Sequence, residues 1–375
     1  MPDLVALDLP GGPAFVEALE RVWADGDAAV PLDPRLPPAE RDRVMAALAP
    51  SAVIEADGER RSLTGGRPVE PGDALVVATS GTTGLPKGVV LTHDAVEASA
   101  RATSAVIDAD PSTDRWLCCL PLAHIGGLSV VTRALHTGTP LEVHPSFDPA
   151  AVLDAARRGA TLVSLVTRAL AQIPADRFRM IVIGGAAPPP DRPANVVATY
   201  GMTETGSGVV YDRTPIDGVE IRIDDQHEIW LRGPMLLRAY RDGTDPKVDG
   251  WFPTGDLGHW ADDGRLMVEG RRGDVIITGG EKVWPERAEA VITRQLGLRE
   301  IALVGRPHPE WGHEVVALVA HDDTSSPSPT LDALRAAVRA ELPVWYAPRR
   351  IELIDSLPRT ALGKLRRSEL ARRDA

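Results

Sequence analysis

The stretch 79-TSGTTGLPKG-88 places three glycines, four hydroxyl side chains and one lysine in ten residues. It follows an apolar run, 74–78, that reads as a buried strand, and it precedes a helical pattern over 95–107 with Thr92 or Asp94 as the N-cap. Glycines carry no Cβ, so backbone N–H groups can face an anion there. Ser80, Thr82 and Thr83 add hydroxyl donors, and Lys87 adds a charge. A Walker A loop needs glycine directly before its lysine and a hydroxyl directly after it; here Pro86 and Gly88 hold those places. Composition alone leaves an anion cradle and a flexible surface turn evenly matched.

Outward from the loop, a chain of 375 residues suggests two or three units. A net charge of −12 argues against sequence-independent nucleic-acid binding, which needs a basic face. Anionic ligands would have to be held by local fields. Cys118 and Cys119 are adjacent in an apolar run, and two cysteines are too few for a disulfide framework. They read as small core residues of a reducing compartment. The opening MPDLVALDLPGG has no basic stretch of the signal-peptide kind, and no run approaches the roughly 18 apolar residues that span a bilayer. The expectation is a cytoplasmic protein with no membrane partner.

The runs 161–165 and 180–183 also read as buried strands, with a helix over 150–158 after Pro149. Strands alternating with helices predict a mostly parallel, covered sheet. After about residue 215 the texture changes. The segments 219–223, 228–231 and 266–268 alternate between turn signals, which predicts antiparallel strands. Beyond 270-GRRGD-274, the runs 301–304 and 315–319 predict strands. The stretch 322-DDTSSPSPT-330 reads as a polar loop. Leu331, Leu334, Val338 and Leu342 recur at helical spacing behind a Thr330 cap. The fold class expected is α/β: a large N-terminal domain over 1–272, with mostly parallel covered sheets and a small antiparallel region, then a small mobile α+β domain over 273–375.

Five further motifs resolve the ambiguity of the loop. They are 121-PLAHIGG-127, 200-YGMTE-204, 251-WFPTGD-256, 270-GRRGD-274 and 363-GK-364 within 358-PRTALGKLRR-367. In this order, and with the glycine-rich loop, they resemble the adenylate-forming superfamily of acyl-CoA synthetases, luciferases and peptide-synthetase adenylation domains. The resemblance spans nearly the whole chain. It implies an enzyme that joins a carboxylic acid to ATP as an acyl-adenylate, releases pyrophosphate, and passes the acyl group to a thiol. The implied ligands are ATP, Mg²⁺ and CoA as co-substrate, with a small-molecule carboxylic acid as the other partner and a homodimer as a candidate assembly.

The resemblance also assigns roles. Thr79, Ser80, Gly81, Thr82, Thr83, Gly84 and Lys87 would hold the β and γ phosphates. Glu204 would hold Mg²⁺, to which a hard oxygen donor is suited. Thr203 would contact the α-phosphate. Tyr200 and Gly201 would lie at the adenine, over Gly184, Gly185 and Ala186. Asp256 would accept from the ribose hydroxyls and Arg271 would add a charge-assisted contact. Lys364 would be the catalytic cation that offsets repulsion between carboxylate and α-phosphate. Gly273 stands where the family usually pivots on Asp or Lys, and a glycine there implies a looser hinge. After the swing, Gly279 and Gly280 in 279-GGEKVWP-285 would admit the pantetheine arm, while Lys282 reads equally well as a solvated side chain.

The family's loop normally lies well over a hundred residues in; here it starts at Thr79, so the N-terminal subdomain is missing or condensed. Compact chains with 121-PLAHIGGL-128 and 200-YGMTETGSGVVYD-212 leading into 215-PIDGVEIRI-223 look most like the o-succinylbenzoate–CoA ligases of menaquinone biosynthesis, in particular their short actinobacterial type. That acid has a second, aromatic carboxylate. His124, Thr203, Ser207 and Arg168 are available to the acyl pocket, Arg168 either as its anchor or as an ordinary exposed arginine. Three alternatives stand beside this reading: a ligase for another aryl, fatty or dicarboxylic acid, a free-standing enzyme loading a carrier protein, and a non-catalytic nucleotide-binding relative.

Overall fold

The computed structural model describes residues 1–80, 86–186, 188–189, 191–320, 329–359 and 365–372. The chain divides into two compact units, one of residues 1–221 with 231–252 and one of 222–230 with 253–375. The sequence reading put the boundary at 272/273; this division instead gives 222–230 and 253–272 to the second unit.

The first unit is built on two seven-stranded sheets. In one, Leu4–Leu7 pairs in parallel with Ala28–Pro31 and with Ala52–Ile54. The crossovers contain helices Pro13–Ala24 and Pro38–Leu48, each opened by a proline whose missing N–H costs nothing in a first turn. Every residue of Leu4–Leu7 and Ala28–Pro31 is buried, the mark of a parallel strand covered on both faces. The region before the glycine-rich loop is folded into complete strand–helix–strand turns.

That sheet continues through Asp73–Ser80 and Pro86–Thr92, with Ala239–Tyr240 at its edge. Here the sequence reading needs correction. The loop does not lead straight into a helix. Pro86–Thr92 returns antiparallel along Asp73–Ser80, with Thr79 opposite Lys87, and helix His93–Val106 begins only after it. Val89, Val90 and Leu91 are buried, and it is their packing that makes this segment a strand. The Thr92 hydroxyl caps the helix, accepting the Ala95 N–H at 3.2 Å.

The second sheet runs in the order Thr214–Pro215, Gly208–Tyr211, Val196–Gly201, Met180–Ile183, Leu162–Leu165, Trp116–Cys118 and Leu141–Val143. Its centre is parallel and its Gly208–Tyr211 edge antiparallel. Helix Ile125–Thr137 packs on His93–Val106. Helix Pro149–Arg157 is capped by Asp148 at 2.8 Å. Both cysteines are free and buried, as their setting implied, and burial pushes the Cys119 thiol up to about 12.

The second unit holds the antiparallel pair Phe252–Trp260 and Leu266–Arg271. It also holds a five-stranded sheet whose centre is Gly312–Ala320, flanked antiparallel by Ile301–His308 and parallel by Arg350–Ile354. Helix Leu331–Arg339 starts behind Thr330, which accepts the Ala333 N–H at 3.2 Å. The helix ends before Leu342, which still packs, half-buried, on the core. The mixed α/β architecture and the small C-terminal domain match the expectation.

Candidate active site

In the first unit, 200-YGMTE-204 turns at the end of Val196–Gly201. A Cβ at Gly201 would sit 2.2 Å from the Ser207 carbonyl oxygen, so only glycine lets the returning chain pass. Thr203–Thr205 forms a 3₁₀ turn. Its anchor is Thr205, fully buried, whose hydroxyl accepts the Met202 N–H at 3.0 Å and donates toward the Ser207 carbonyl at 2.7 Å. The turn presents Thr203 and Glu204 half-exposed. The Tyr240 hydroxyl donates to Glu204 Oε1 at 3.1 Å, and Lys87 Nζ lies 5.0 Å from the centre of the Tyr240 ring. Lys87, Glu204 and Tyr240 thus form one cluster, of which sequence reading found only the first two.

Gly184 and Gly185 follow the strand Met180–Ile183, with the Thr199 hydroxyl donating to the Ile183 carbonyl at 3.0 Å beneath them. Ala186 is exposed beside them. Tyr200 pairs with Val210 just before a bulge at Gly201. Thr79 directs its hydroxyl to the Lys87 carbonyl at 3.3 Å. Gly81, Thr82, Thr83, Gly84 and Lys364 lie outside the described residues, as does the side chain of Ser80.

The element 121-PLAHIGG-127 follows the strand Trp116–Cys118 and opens helix Ile125–Thr137. A Cβ at Gly127 would lie 2.5 Å from the Pro121 carbonyl oxygen, which explains the glycine. His124 is the N-cap residue, its Nε2 3.7 Å from Asp33 Oδ2. Burial lowers the imidazole pKa despite that carboxylate, so the ring is biased to neutral and the pair is not an ion pair near neutrality. Asp33 is committed elsewhere: Arg35 holds both its oxygens, at 2.8 and 2.7 Å, and that hydrogen bonding lowers its pKa against burial.

Two turns along the same helix lies Arg133, only 2% exposed. Its Nη2 donates to Ser207 Oγ at 3.1 Å and its guanidinium stacks over Trp116 at 4.9 Å. Nε and Nη1 are buried with no hydrogen-bond partner among the described residues, and no ion pair with a carboxylate is found for it there. Burial lowers its pKa. Arg168, by contrast, is exposed on the short helix Thr167–Leu170. Ser207 was legible from its motif; Arg133 was not, although an arginine within the apolar run 128-LSVVTRAL-135 was the available signal.

In the second unit, Asp256 and Arg271 face each other in register on neighbouring strands, with Arg271 Nε 2.8 Å from Asp256 Oδ1. Arg271 Nη1 also donates to the Thr254 carbonyl at 2.9 Å. Beneath the Thr-Gly-Asp turn, buried Glu228 accepts the Gly255 N–H at 2.9 Å and pairs with Arg272 at 2.8 Å. Gly279 and Gly280 form a two-residue hairpin turn, both with positive φ (58° and 87°), against Trp311. Lys282 is exposed. Gly273 is exposed in the 3₁₀ turn Arg272–Asp274, with open space at its Cβ.

The model of the AMP-binding enzymes matches residues 56–241, and that of the AMP-binding enzyme C-terminal domain matches 287–364. A probable 2-succinylbenzoate–CoA ligase of Mycobacterium tuberculosis is 36% identical, over 99% of this chain and 98% of its own length. The chain belongs to the AMP-binding enzymes. A 2-succinylbenzoate–CoA ligase of Listeria monocytogenes is 32% identical over 88% of this chain and 76% of that one. The o-succinylbenzoate CoA synthetase of Bacillus subtilis, solved with the acyl-adenylate OSB-AMP, superposes with a TM-score of 0.87 at 26% identity, covering 100% of this chain and 88% of that one. The same synthetase with ATP and magnesium gives 0.86 at 26% identity, over 98% of this chain and 89% of that one.

The donor set suits Mg²⁺. Glu204 offers a carboxylate, the hard oxygen ligand that ion prefers, on a turn fixed from behind by Thr205. Among the described residues no cluster of three or more His, Cys, Asp or Glu side chains forms a protein-only cage.

Proposed function

We propose that this chain is an ATP-dependent acid–CoA ligase whose acid is o-succinylbenzoate, acting in menaquinone biosynthesis in the cytoplasm. The reaction class rests on the family and on relatives aligned over almost their full length. The choice of acid is carried by Arg133. A buried guanidinium with no carboxylate partner among the described residues is costly, and a second carboxylate on the substrate would relieve that cost. A keto-dicarboxylic acid has one carboxylate to activate and one to leave beside Ser207 and Arg133.

In this reading one oxygen of the aliphatic carboxylate attacks the α-phosphorus and pyrophosphate leaves. The thiol sulfur of CoA then attacks the acyl carbon and AMP leaves. Lys87, with the loop 79–88, holds the departing phosphates. Thr203 donates to the α-phosphate, and Asp256, paired with Arg271, accepts from the ribose. Lys364 supplies the cation between the two anionic reactants. Glu204 would hold Mg²⁺, which supplies charge to the phosphates when bound. Gly273 serves as the pivot between a 1–272 domain and a 273–375 domain, and Gly279 and Gly280 line the approach of CoA. A homodimer belongs to the proposal as the assembly to be checked by light scattering.

The test is pyrophosphate release across a panel of acids, with o-succinylbenzoate set against its analogue lacking the aromatic carboxylate. The diacid should be strongly preferred by the wild type, and Arg133→Leu should abolish the preference. Equal turnover of the two acids by the wild type would overturn the assignment. Transfer to a carrier-protein thiol but not to CoA would favour the carrier-loading alternative.

A further inference from the structure

Tyr240 belongs to none of the motifs that mark the site, yet it touches two of their residues. We infer that Tyr240 is a positioning residue that couples the phosphate-loop lysine to the metal-binding carboxylate, its hydroxyl orienting Glu204 and its ring face holding Lys87. The inference rests on the reading of Glu204 as the Mg²⁺ ligand.

The placement follows from the sheet. Ala239–Tyr240 adds to the edge of Pro86–Thr92, with Tyr240 opposite Val89. Side chains two apart on a strand share a face, so Lys87 is the diagonal neighbour of Tyr240 across the pair. The observed 5.0 Å from Nζ to the ring centre is the cation–π distance that such a diagonal allows. Glu204 comes from the 3₁₀ turn that follows a strand of the other sheet. It reaches the same point because its own carbonyl accepts the Leu237 N–H at 2.7 Å, three residues before Tyr240.

The segment is fastened from several sides. Lys247 Nζ donates to the carbonyls of Leu237 and Arg238, at 2.8 Å each. Arg238 forks onto buried Asp73 at 2.8 and 2.9 Å. The Arg241 N–H bonds the Gly88 carbonyl at 2.7 Å, and its guanidinium donates to the carbonyls of Leu48 and Pro68 at 3.0 and 2.7 Å. Tyr240 is therefore held on a rigid edge. A hydrogen bond to one oxygen of a metal-binding carboxylate fixes the direction of the other, and such outer contacts tune metal affinity.

The experiment is a thermal-shift titration of Mg²⁺ at fixed ATP, read beside the melting of the ligand-free protein, for wild type, Tyr240→Phe, Tyr240→Leu and Glu204→Gln. Ligands that bind the native state raise its apparent stability, so the curve reports affinity without turnover. Tyr240→Phe should raise the Mg²⁺ midpoint on the order of tenfold, within the range for outer-contact mutations, with unchanged ligand-free melting. Tyr240→Leu should in addition weaken ATP at saturating Mg²⁺, because the Lys87 contact is lost. If Tyr240→Phe titrates as wild type while Glu204→Gln is shifted, the inference is wrong and the metal reading survives. A lowered ligand-free melting temperature with an unmoved Mg²⁺ midpoint would make Tyr240 merely structural and also overturns it. If Glu204→Gln too titrates as wild type, the metal reading falls and the inference with it.

Discussion

Replacing Arg133 with methionine should stabilise the ligand-free protein while removing its preference for a diacid. The guanidinium is 2% exposed, and its only protein contacts described are Ser207 Oγ at 3.1 Å and the Trp116 ring at 4.9 Å. Those contacts return about 1.5–3 kcal/mol for a charged hydrogen bond and about 2 kcal/mol for a desolvated cation–π pair. Against them stand a charge removed from water, which costs several kcal/mol even after relaxation, and two buried N–H-bearing nitrogens without described partners, at about 1–3 kcal/mol each. Methionine fills much of the same space with no polar atom. We expect a gain of about 1–4 kcal/mol, the range seen when buried ionic groups give way to apolar ones. In a unit of this size each kcal/mol is worth about 2–4 °C of melting temperature. The assay is melting of ligand-free wild type and variant, paired with the acid panel. A variant several kcal/mol less stable that keeps its diacid preference would refute the reasoning, since Arg133 would then be a satisfied structural residue.

Arg367 gives the opposite result for the same physical reason. It forks onto Glu289 at 2.7 and 2.6 Å, with Asp274 and Glu286 within 4.0 Å of it. Burial alone would lower its pKa, but the charge and hydrogen bonds of Glu289 outweigh burial and raise it. Arg367→Met should cost about 3–5 kcal/mol in urea unfolding, and adding Glu289→Leu should recover most of that loss. The acid side of the pH profile should be set partly by His93, His124 and His136, all lowered by burial from 6.5. Asp73 and Asp94 near His93, Asp33 near His124, and Glu97 near His136 oppose the shifts without reversing them. The unfolded chain then binds more protons just below pH 6.5, so stability is full above that value and falls as pH drops through it. Urea midpoints equal at pH 7.5 and 5.5 would contradict this. Lys364→Ala should impair acyl-adenylate formation far more than thioester formation from supplied acyl-adenylate; equal loss in both would contradict a swing of the C-terminal domain.

What the sequence disclosed, and what it hid, separates by distance along the chain. Local signals held: the Thr92 and Thr330 caps, the buried runs around Val76 and Val182, and the motif order. Proline and glycine placement, capping and burial period act within a few residues, so they are written locally. The strand Pro86–Thr92 was missed because it opens with 86-PKG-88, three poor strand formers, and its identity comes from pairing with Asp73–Ser80. The partners of the site residues were hidden more deeply. Tyr240 meets Glu204 across 36 residues, Ser207 meets Arg133 across 74, and Glu228 reaches Gly255 across 27. None of these pairs has a spacing that a helix or a strand would impose.

The missed strand bears on the chemistry. A Walker loop runs into a helix, and the helix N-terminus supplies part of the positive field on the phosphates. Here the residues on both sides of 81–85 are paired antiparallel strands, and Lys87 stands in the returning strand opposite Thr79. The next described helix begins only at His93, so in the proposed reading the field on a bound pyrophosphate draws on the loop, Lys87 and an ion rather than on a helix N-terminus. That accounts for the lysine two places beyond where backbone cradling would need it, and for glycine rather than a hydroxyl after it. A Cβ at Gly88 would meet Leu48 Cδ2 at 2.5 Å and Arg241 Cβ and Val76 Cγ1 at 2.8 Å, so a serine or threonine there would require its neighbours to shift. In the proposed reading the metal-holding role falls to Glu204, on the 3₁₀ turn that follows a strand of the other sheet. A site whose charges come from a strand and from a separate turn needs something to fix their separation, and in this unit Tyr240 touches both.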